Sequence, residues 1–251
     1  MLIVNGDDFG YSREVNAAVA EAFRIGLISS TSLMANGAAF SEACDLARRE
    51  GLTNRIGIHL TLTEGESLTD EIRRFSKFCS LGGQFHFRRE RHFWLTASER
   101  SVLRGELAAQ IERCQSEGLP LSHADSHHHS HTEFTIFRVL SPVLRCYRVP
   151  FLRLTDNVRH VGMVRRLYKL AFNRAVRRAG LAGAHYFCDV QGLARLAGLY
   201  PRDDVVIEVM VHPAYRTDGA LVEAGSNLAL ADALQPALRS CRLGSYAELR
   251  S

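Results

Sequence analysis

Leu2-Ile-Val-Asn-Gly-Asp-Asp-Phe-Gly10 opens the chain, and the way this stretch stops decides how the rest is read. Three apolar residues run into Asn5, Asp7 and Asp8, as in a buried strand that delivers polar side chains at its C-terminal end. Ser12 has the chemistry of an N-cap. Behind it Val15, Ala18, Val19, Ala22 and Phe23 recur at helical spacing, and Gly26 supplies a stop. The cycle then repeats. Ile28 to Met34 reads as a strand ending at Asn36-Gly37, and about Ser41 to Glu50 as a helix closed by Gly51. Arg55 to Leu62 is a third strand, with His59 in its middle. Strand, helix, strand, helix, strand over some sixty residues is the rhythm of βαβ units and a parallel sheet.

Farther along, the rhythm breaks and resumes. Residues 63–97 hold Gly65, Gly82, Gly83 and the mixed run Phe85-His-Phe-Arg-Arg-Glu-Arg-His-Phe-Trp94. Such an irregular segment is either a functional loop or an excursion packed by its own aromatics, and the sequence leaves both open. Ser98 is expected to cap a helix reaching Gly118. A strand from Leu121 carries a histidine tract, followed by a helix from Thr132 to Tyr147 bent at Pro142. Phe151–Leu154, His185–Val190 and Val205–Val211 read as strands, the last ending at His212-Pro213. Val161–Ala179 and Leu228–Leu238 read as helices. With six or seven strands, no repeat, no linker and no glycine-rich dinucleotide fingerprint, the expectation is one α/β domain over residues 1–251. It would be a divergent TIM-like (β/α) barrel with an irregular insertion at about 63–97.

Composition narrows the class further. Apolar residues make up 46% and charged residues 23%, ordinary for a soluble globular protein. No apolar run reaches the ~18–20 residues that span a bilayer. Asp7 and Asp8 interrupt the first apolar run too early for a signal peptide. The six cysteines are scattered without a CxxC, which suits reduced thiols, so a cytoplasmic location is expected. A net charge of +4 is too mild, without groove-reading elements, to suggest nucleic acid. The oligomeric state stays open, and a homodimer is compatible with the chain.

The tract His123-Ala-Asp-Ser-His-His-His-Ser-His131 holds five of the eleven histidines. Read as one extended strand, it aims His123, Asp125, His127, His129 and His131 to the same side. A row of imidazoles around a carboxylate suits metal binding or proton transfer. Asp7, Asp8, Asn36, His59, Asp125, His127, Arg153 and His212 all fall at or near the C-terminal ends of expected strands. In a (β/α) barrel those ends converge on one mouth. Each has an ordinary explanation alone: an aspartate capping a helix, a satisfied core histidine. Together they form a kit for metal-assisted hydrolysis, in which an open divalent ion polarises a carbonyl and acidifies water. A spare carboxylate then takes a proton and a histidine returns one.

These residues also resemble a known family. Leu2-Ile-Val-Asn-Gly-Asp-Asp-Phe-Gly-Tyr11, Gly57-Ile-His-Leu60, His123-Ala-Asp-Ser-His-His-His-Ser-His131 and Val211-His-Pro213 are similar, in order and over nearly the whole chain, to the YdjC-like carbohydrate deacetylases. That family includes chitooligosaccharide deacetylases and hopanoid-associated HpnK proteins. The resemblance implies removal of the acetyl group from an N-acetylated sugar with a divalent metal. It makes Asp8, His59 and His127 the metal ligands, Asp7 the general base and His212 the general acid or oxyanion stabiliser. Asp125 would support a ligand imidazole, with His127 the expected partner, and Asn36 and Arg153 would contact substrate. The resemblance implies Mg2+, whereas two nitrogens and one oxygen also suit Zn2+ or another transition metal. A metal-dependent phosphoesterase and a non-catalytic sugar- or metal-binding protein are the rival classes. Finally, the helix holding Val164 to Arg178 carries six basic and no acidic side chains. That is either an ordinary solvated face or an interfacial helix that would hold the protein on the inner face of a membrane.

Overall fold

Alternation along the strands explains the architecture. In β1 (Leu2–Phe9), Leu2 and Val4 belong to the main apolar core, whereas Ile3, Asn5 and Asp7 point the other way. β3 (Ile56–Leu60) alternates Ile56, Ile58 and Leu60 with Gly57 and His59; β7 (Ile207–Val211) alternates Ile207, Val209 and Val211 with Glu208 and Met210. A parallel sheet covered by helices on both faces would be apolar throughout. Here only one face is apolar. The other must be enclosed by the sheet itself.

The computed structural model describes residues 1–88, 94–159, 161–199 and 204–250. Besides the three strands above, the sheet contains β2 (Ser30–Leu33), β4 (His123–Ser126), β5 (Phe151–Leu152) and β6 (Tyr186–Asp189). All neighbours pair in parallel, in the order β5-β4-β3-β2-β1-β7-β6. Read around a circle, this is chain order with one seam, between β5 and β6. The sheet is strongly curled. Five strand spacings separate β5 from β7, about 24 Å in a flat sheet. Yet Arg153, just past β5, places Nε 2.7 Å from Glu208 Oε1 of β7. The result is the curled (β/α) barrel that the sequence led us to expect, with one seam where β5 and β6 form no ladder and are bridged by single bonds such as Asn157 N to Phe187 O at 3.3 Å.

Helices cover the outside: α1 (Arg13–Arg24), α2 (Phe40–Arg49), the short α3 (Asp70–Arg73), α4 (Ala97–Ser116), α5 (Phe134–Cys146), α6 (Met163–Arg178), the short α7 (Val190–Leu193) and α8 (Leu230–Leu238). Ser12 caps α1, accepting from Val15 N at 3.3 Å. The start of α4 falls elsewhere than expected: Thr96, not Ser98, is the N-cap, in a capping box with Glu99. Pro142 lies inside α5, which runs on to Cys146. A hairpin of β8 (Pro213–Tyr215) and β9 (Leu221–Glu223), not anticipated from the sequence, follows β7.

The irregular 63–97 segment is anchored to the body. Phe78, Phe85, Phe87 and Leu95 are buried in the main core, with Phe78 and Phe87 stacked at 5.8 Å. Buried Glu106 of α4 accepts from Leu68 N, Thr69 N and Thr69 Oγ1. Residues Arg89 to Phe93 of the aromatic and basic run lie outside the described residues.

Candidate metal centre and active site

A bulge in β1 builds the heart of the site. Against β2, Gly6 pairs with Thr31 and Phe9 with Leu33, so β1 spends one residue more than its neighbour between these points. Asp8 takes up the extra residue at φ +65°, a conformation that aspartate tolerates better than most side chains. In an unbroken strand two adjacent aspartates face opposite sides of the sheet. Here Asp7 points into the barrel and Asp8 is turned to the mouth.

Asp8 Oδ1 lies 3.0 Å from His59 Nε2 and 2.9 Å from His127 Nδ1. The ligand atoms of the three residues, drawn from three different strand ends, all fall within 4.8 Å of one another. His59 Nδ1 is 2.7 Å from Asp125 Oδ1, which fixes that nitrogen as the donor and leaves Nε2 facing the mouth. Nε2 is buried and, although close to Asp8, makes no aligned hydrogen bond. Burial alone would lower the His59 pKa; Asp125 and Asp8 instead push it up to about 10. Burial likewise opposes ionisation of Asp8, yet His127 and His59 hold its carboxyl well below the usual range. The position between these groups therefore favours positive charge. An orphaned imidazole nitrogen, a second imidazole and an ionised carboxylate fit a divalent ion by donor chemistry as well as by spacing.

Behind the mouth, the barrel interior is ionic. Fully buried Arg153 donates from Nη1 and Nη2 to both oxygens of Asp7 (2.6 and 2.7 Å) and from Nε to Glu208. Its Nη2 is also 2.7 Å from Asp125 Oδ2. Asn5 Nδ2 donates to Asp7 at 2.8 Å, and Ser32 Oγ to Asp125 at 2.9 Å. Tyr246, also fully buried, donates its hydroxyl to Glu208. Burial pushes the Glu208 carboxyl up despite these partners. One guanidinium thus serves three carboxylates.

Several expectations need correction. Arg153 is not placed to contact substrate: it is covered completely and its donors are used on carboxylates. Asp125 supports His59, across the strand pair, rather than His127 of its own tract. Asn36 donates its amide to Glu64 O and Glu66 O, shaping the loop beside the mouth.

The tract itself is not one strand. Extension ends at Ser126, whose Oγ accepts from His131 N, and His128 and His129 take φ +52° and +54°. The five side chains therefore do not share a face. His123 lies deep in the barrel over Gly57, where an added Cβ would come within 2.4 Å of its ring, and stacks on Tyr246 at 4.1 Å. Burial lowers its pKa to about 4. His131 is buried against Ser126 and the Arg153 carbonyl. His127 alone of the tract joins Asp8 and His59.

His212 follows β7. Its backbone N donates to Glu223 Oε2 at 2.7 Å, and its Nδ1 is 3.2 Å from Glu223 Oε1. Burial works against its protonation, but Glu223, Asp7 and Asp8 together outweigh it and raise the pKa. Sequence reasoning missed Glu223, which carries no local signal, and Glu64, whose carboxylate reaches His127 Nε2 (3.2 Å) and the Tyr11 hydroxyl (2.8 Å). Glu64, His127 and His128 form a second group with ligand spacing. Glu208 did carry a signal: a lone acid in the apolar run Val205 to Val211.

A cavity of about 730 Å3 opens along the β5–β6 seam. His129, Tyr168 and Phe187 line it with Asp156, Arg159 and Asp189, a mixture of rings and polar groups suited to a polyhydroxylated ligand.

Fold and site together define a (β/α) barrel protein with a candidate metal centre at its mouth. The chain belongs to the YdjC-like protein family, whose model matches residues 1–246. It is 35% identical to a carbohydrate deacetylase of Brevibacillus brevis over 225 residues, 88% of this chain and 84% of that protein. To a carbohydrate deacetylase of Geobacillus stearothermophilus it is 34% identical, over 85% of this chain and 79% of the relative. Among solved structures, an Enterococcus faecalis protein named for a proposed cellobiose-phosphate cleavage role superimposes with a TM-score of 0.72. It is 21% identical, over 99% of this chain and 98% of that one. A lactam utilization protein of Thermus thermophilus gives a TM-score of 0.53 at 18% identity, over 98% of this chain and 100% of that one. These two likenesses concern the fold.

Proposed function

We propose that the protein is a metal-dependent carbohydrate N-deacetylase, hydrolysing the acetamide of an N-acetylated amino sugar to the free amine and acetate. The observation that carries this reading is the cluster of Asp8, His59 and His127 beside a second carboxylate, Asp7, in a chain about one-third identical to carbohydrate deacetylases. Asp8, His59 and His127 would hold the divalent ion. When bound there, such an ion supplies Lewis acidity toward the acetamide carbonyl and lowers the pKa of water. Asp7 takes the proton from the attacking water, its carboxylate oriented by Arg153 and Asn5. His212, held by Glu223 through Nδ1, keeps a proton to return to the leaving nitrogen. The seam cavity receives the sugar. Two imidazoles and one carboxylate suit zinc or another transition ion, and metal analysis of protein purified without chelator identifies it.

Acetate release from N-acetylglucosamine oligosaccharides tests this. Asp7→Asn and His127→Ala are each expected to lower kcat/KM by roughly a thousandfold, and chelation to abolish activity until metal is restored. Full activity in both variants would sink the proposal. The phosphoesterase reading has one observation in its favour, the second ligand group of Glu64, His127 and His128. Two metal ions per chain together with hydrolysis of phosphate monoesters would favour it over deacetylation.

A further inference from the structure

Helix α6 departs from the pattern of the outer layer. Its core-facing stripe is Phe172, Asn173 and Val176, all buried, with Phe172 packed edge-on against Phe134 and Phe137. The opposite face should be polar. Met163 and Leu167 stand nine positions before Phe172 and Val176, two and a half turns away, and so on the far side of the helix. They are 78% and 60% exposed, and Leu170, on the same outer face, is 55% exposed. Val164, flanking them, is 82% exposed. Five of the eleven exposed large hydrophobic residues of the described chain lie between Met163 and Leu170. Isolated exposed apolar residues are ordinary; a contiguous stripe opposite the core side of a helix marks a contact surface.

Charge says what covers it. Arg165, Arg166, Lys169, Arg174, Arg177 and Arg178 lie on the same helix, and no acidic residue does. A second copy docked isologously through this face would set these cations against their own counterparts. An anionic lipid surface meets both demands at once: acyl chains take the apolar stripe and headgroups the flanking cations. With 16 residues and six charges, α6 would lie on a bilayer, and no described helix is long and apolar enough to cross one.

We propose that the N-terminal half of α6 docks the protein onto anionic phospholipid bilayers. Arg165, Tyr168 and Lys169 line the seam cavity from the inner side of the same helix, so docking would set that cavity about one helix diameter from the membrane surface. The proposal is independent of the reaction at the mouth, because it is read from binding alone.

The full chain is sedimented with vesicles of phosphatidylcholine, and of phosphatidylcholine mixed with phosphatidylglycerol, at low and high salt. It is expected to pellet only with the anionic vesicles, and less as salt rises. Leu167→Ser with Leu170→Ser, and separately Arg166→Glu with Arg174→Glu, should each weaken partitioning about tenfold or more. Arg104→Glu with Arg138→Glu, an equal charge change at exposed positions of other helices, should leave most of the binding in place. Failure to pellet with anionic vesicles at low salt would overturn the proposal. So would an equal loss in the Arg104/Arg138 control. A dimer in vesicle-free solution that the Leu167/Leu170 pair dissociates would also overturn it, assigning the stripe to a second copy.

Discussion

The two faces of the same seven strands obey opposite rules. Outward, Leu2, Val4, Ile56, Ile58, Leu152, Ile207 and Val209 pack against helices in a single apolar core. Inward, the same strands contribute Asn5, Asp7, Ser32, His59, His123, Asp125 and Glu208, joined across the lumen by Arg153. Among the described residues, Ile3, Phe151 and Tyr246 form a small buried apolar cluster apart from the main core. The outer face stabilises by area, at about 25 cal/mol per Å2 buried, and tolerates changes of shape that keep its volume. The inner face stabilises by pairing, and there a lost partner strands a buried charge. One surface is there to hold the barrel closed and the other to set charges in place.

Variants at the two faces test that division. Arg153→Met leaves Asp7, Asp125 and Glu208 without their shared cation. We expect a loss of about 3–5 kcal/mol in denaturant unfolding, with acetate release abolished in the molecules that fold. Ile58→Ala on the outer face should cost a comparable ~2–5 kcal/mol while the folded fraction keeps its activity. If both variants lose activity only in proportion to unfolding, the division of labour fails.

Acid gives the next largest effect. His123 is neutral in the folded chain down to about pH 4, whereas in the unfolded chain it binds a proton below its ordinary value of 6.5. Stability is therefore full above pH 6.5, falls as the pH drops toward 4, and levels off below. The expected loss from this residue is on the order of 3 kcal/mol. His123→Leu should flatten that part of the curve in denaturant titrations at stepped pH; an unchanged slope would show that the burial of His123 does not govern it.

Smallest of the three, Asp125→Asn removes the carboxylate behind His59 but keeps a hydrogen-bonding group of the same size. Metal affinity measured by competition with a chelator should fall about 10–100-fold. A drop confined to stability, with affinity intact, would make Asp125 part of the ionic lumen alone.

Much of this was legible in the chain and some was not. The βα rhythm, six or seven strands and the convergence of the aspartate pair, His59 and the histidine tract on one mouth follow from where polar residues interrupt apolar runs; singling out Asp8, His59 and His127 took the family resemblance. The tract misleads because alternation presumes extension, and Ser126 turns the chain by satisfying the His131 amide. Arg153 reads as a substrate contact because it falls near the C-terminal end of an expected strand. Only closure of the barrel, which brings β1 and β7 across from β5, reveals the carboxylates awaiting it. Glu223 and Glu64 enter from a hairpin and a loop whose paths no periodicity announces.

The bulge in β1 makes the site a matter of parity. Asp7 and Asp8 both serve the lumen side because an odd residue is inserted between two registered points, Gly6–Thr31 and Phe9–Leu33. Without that bulge the strand would return to even counting, and of two adjacent carboxylates one would turn into the apolar shell. Identity at these positions is thus only half of what the chain encodes; the other half is a number.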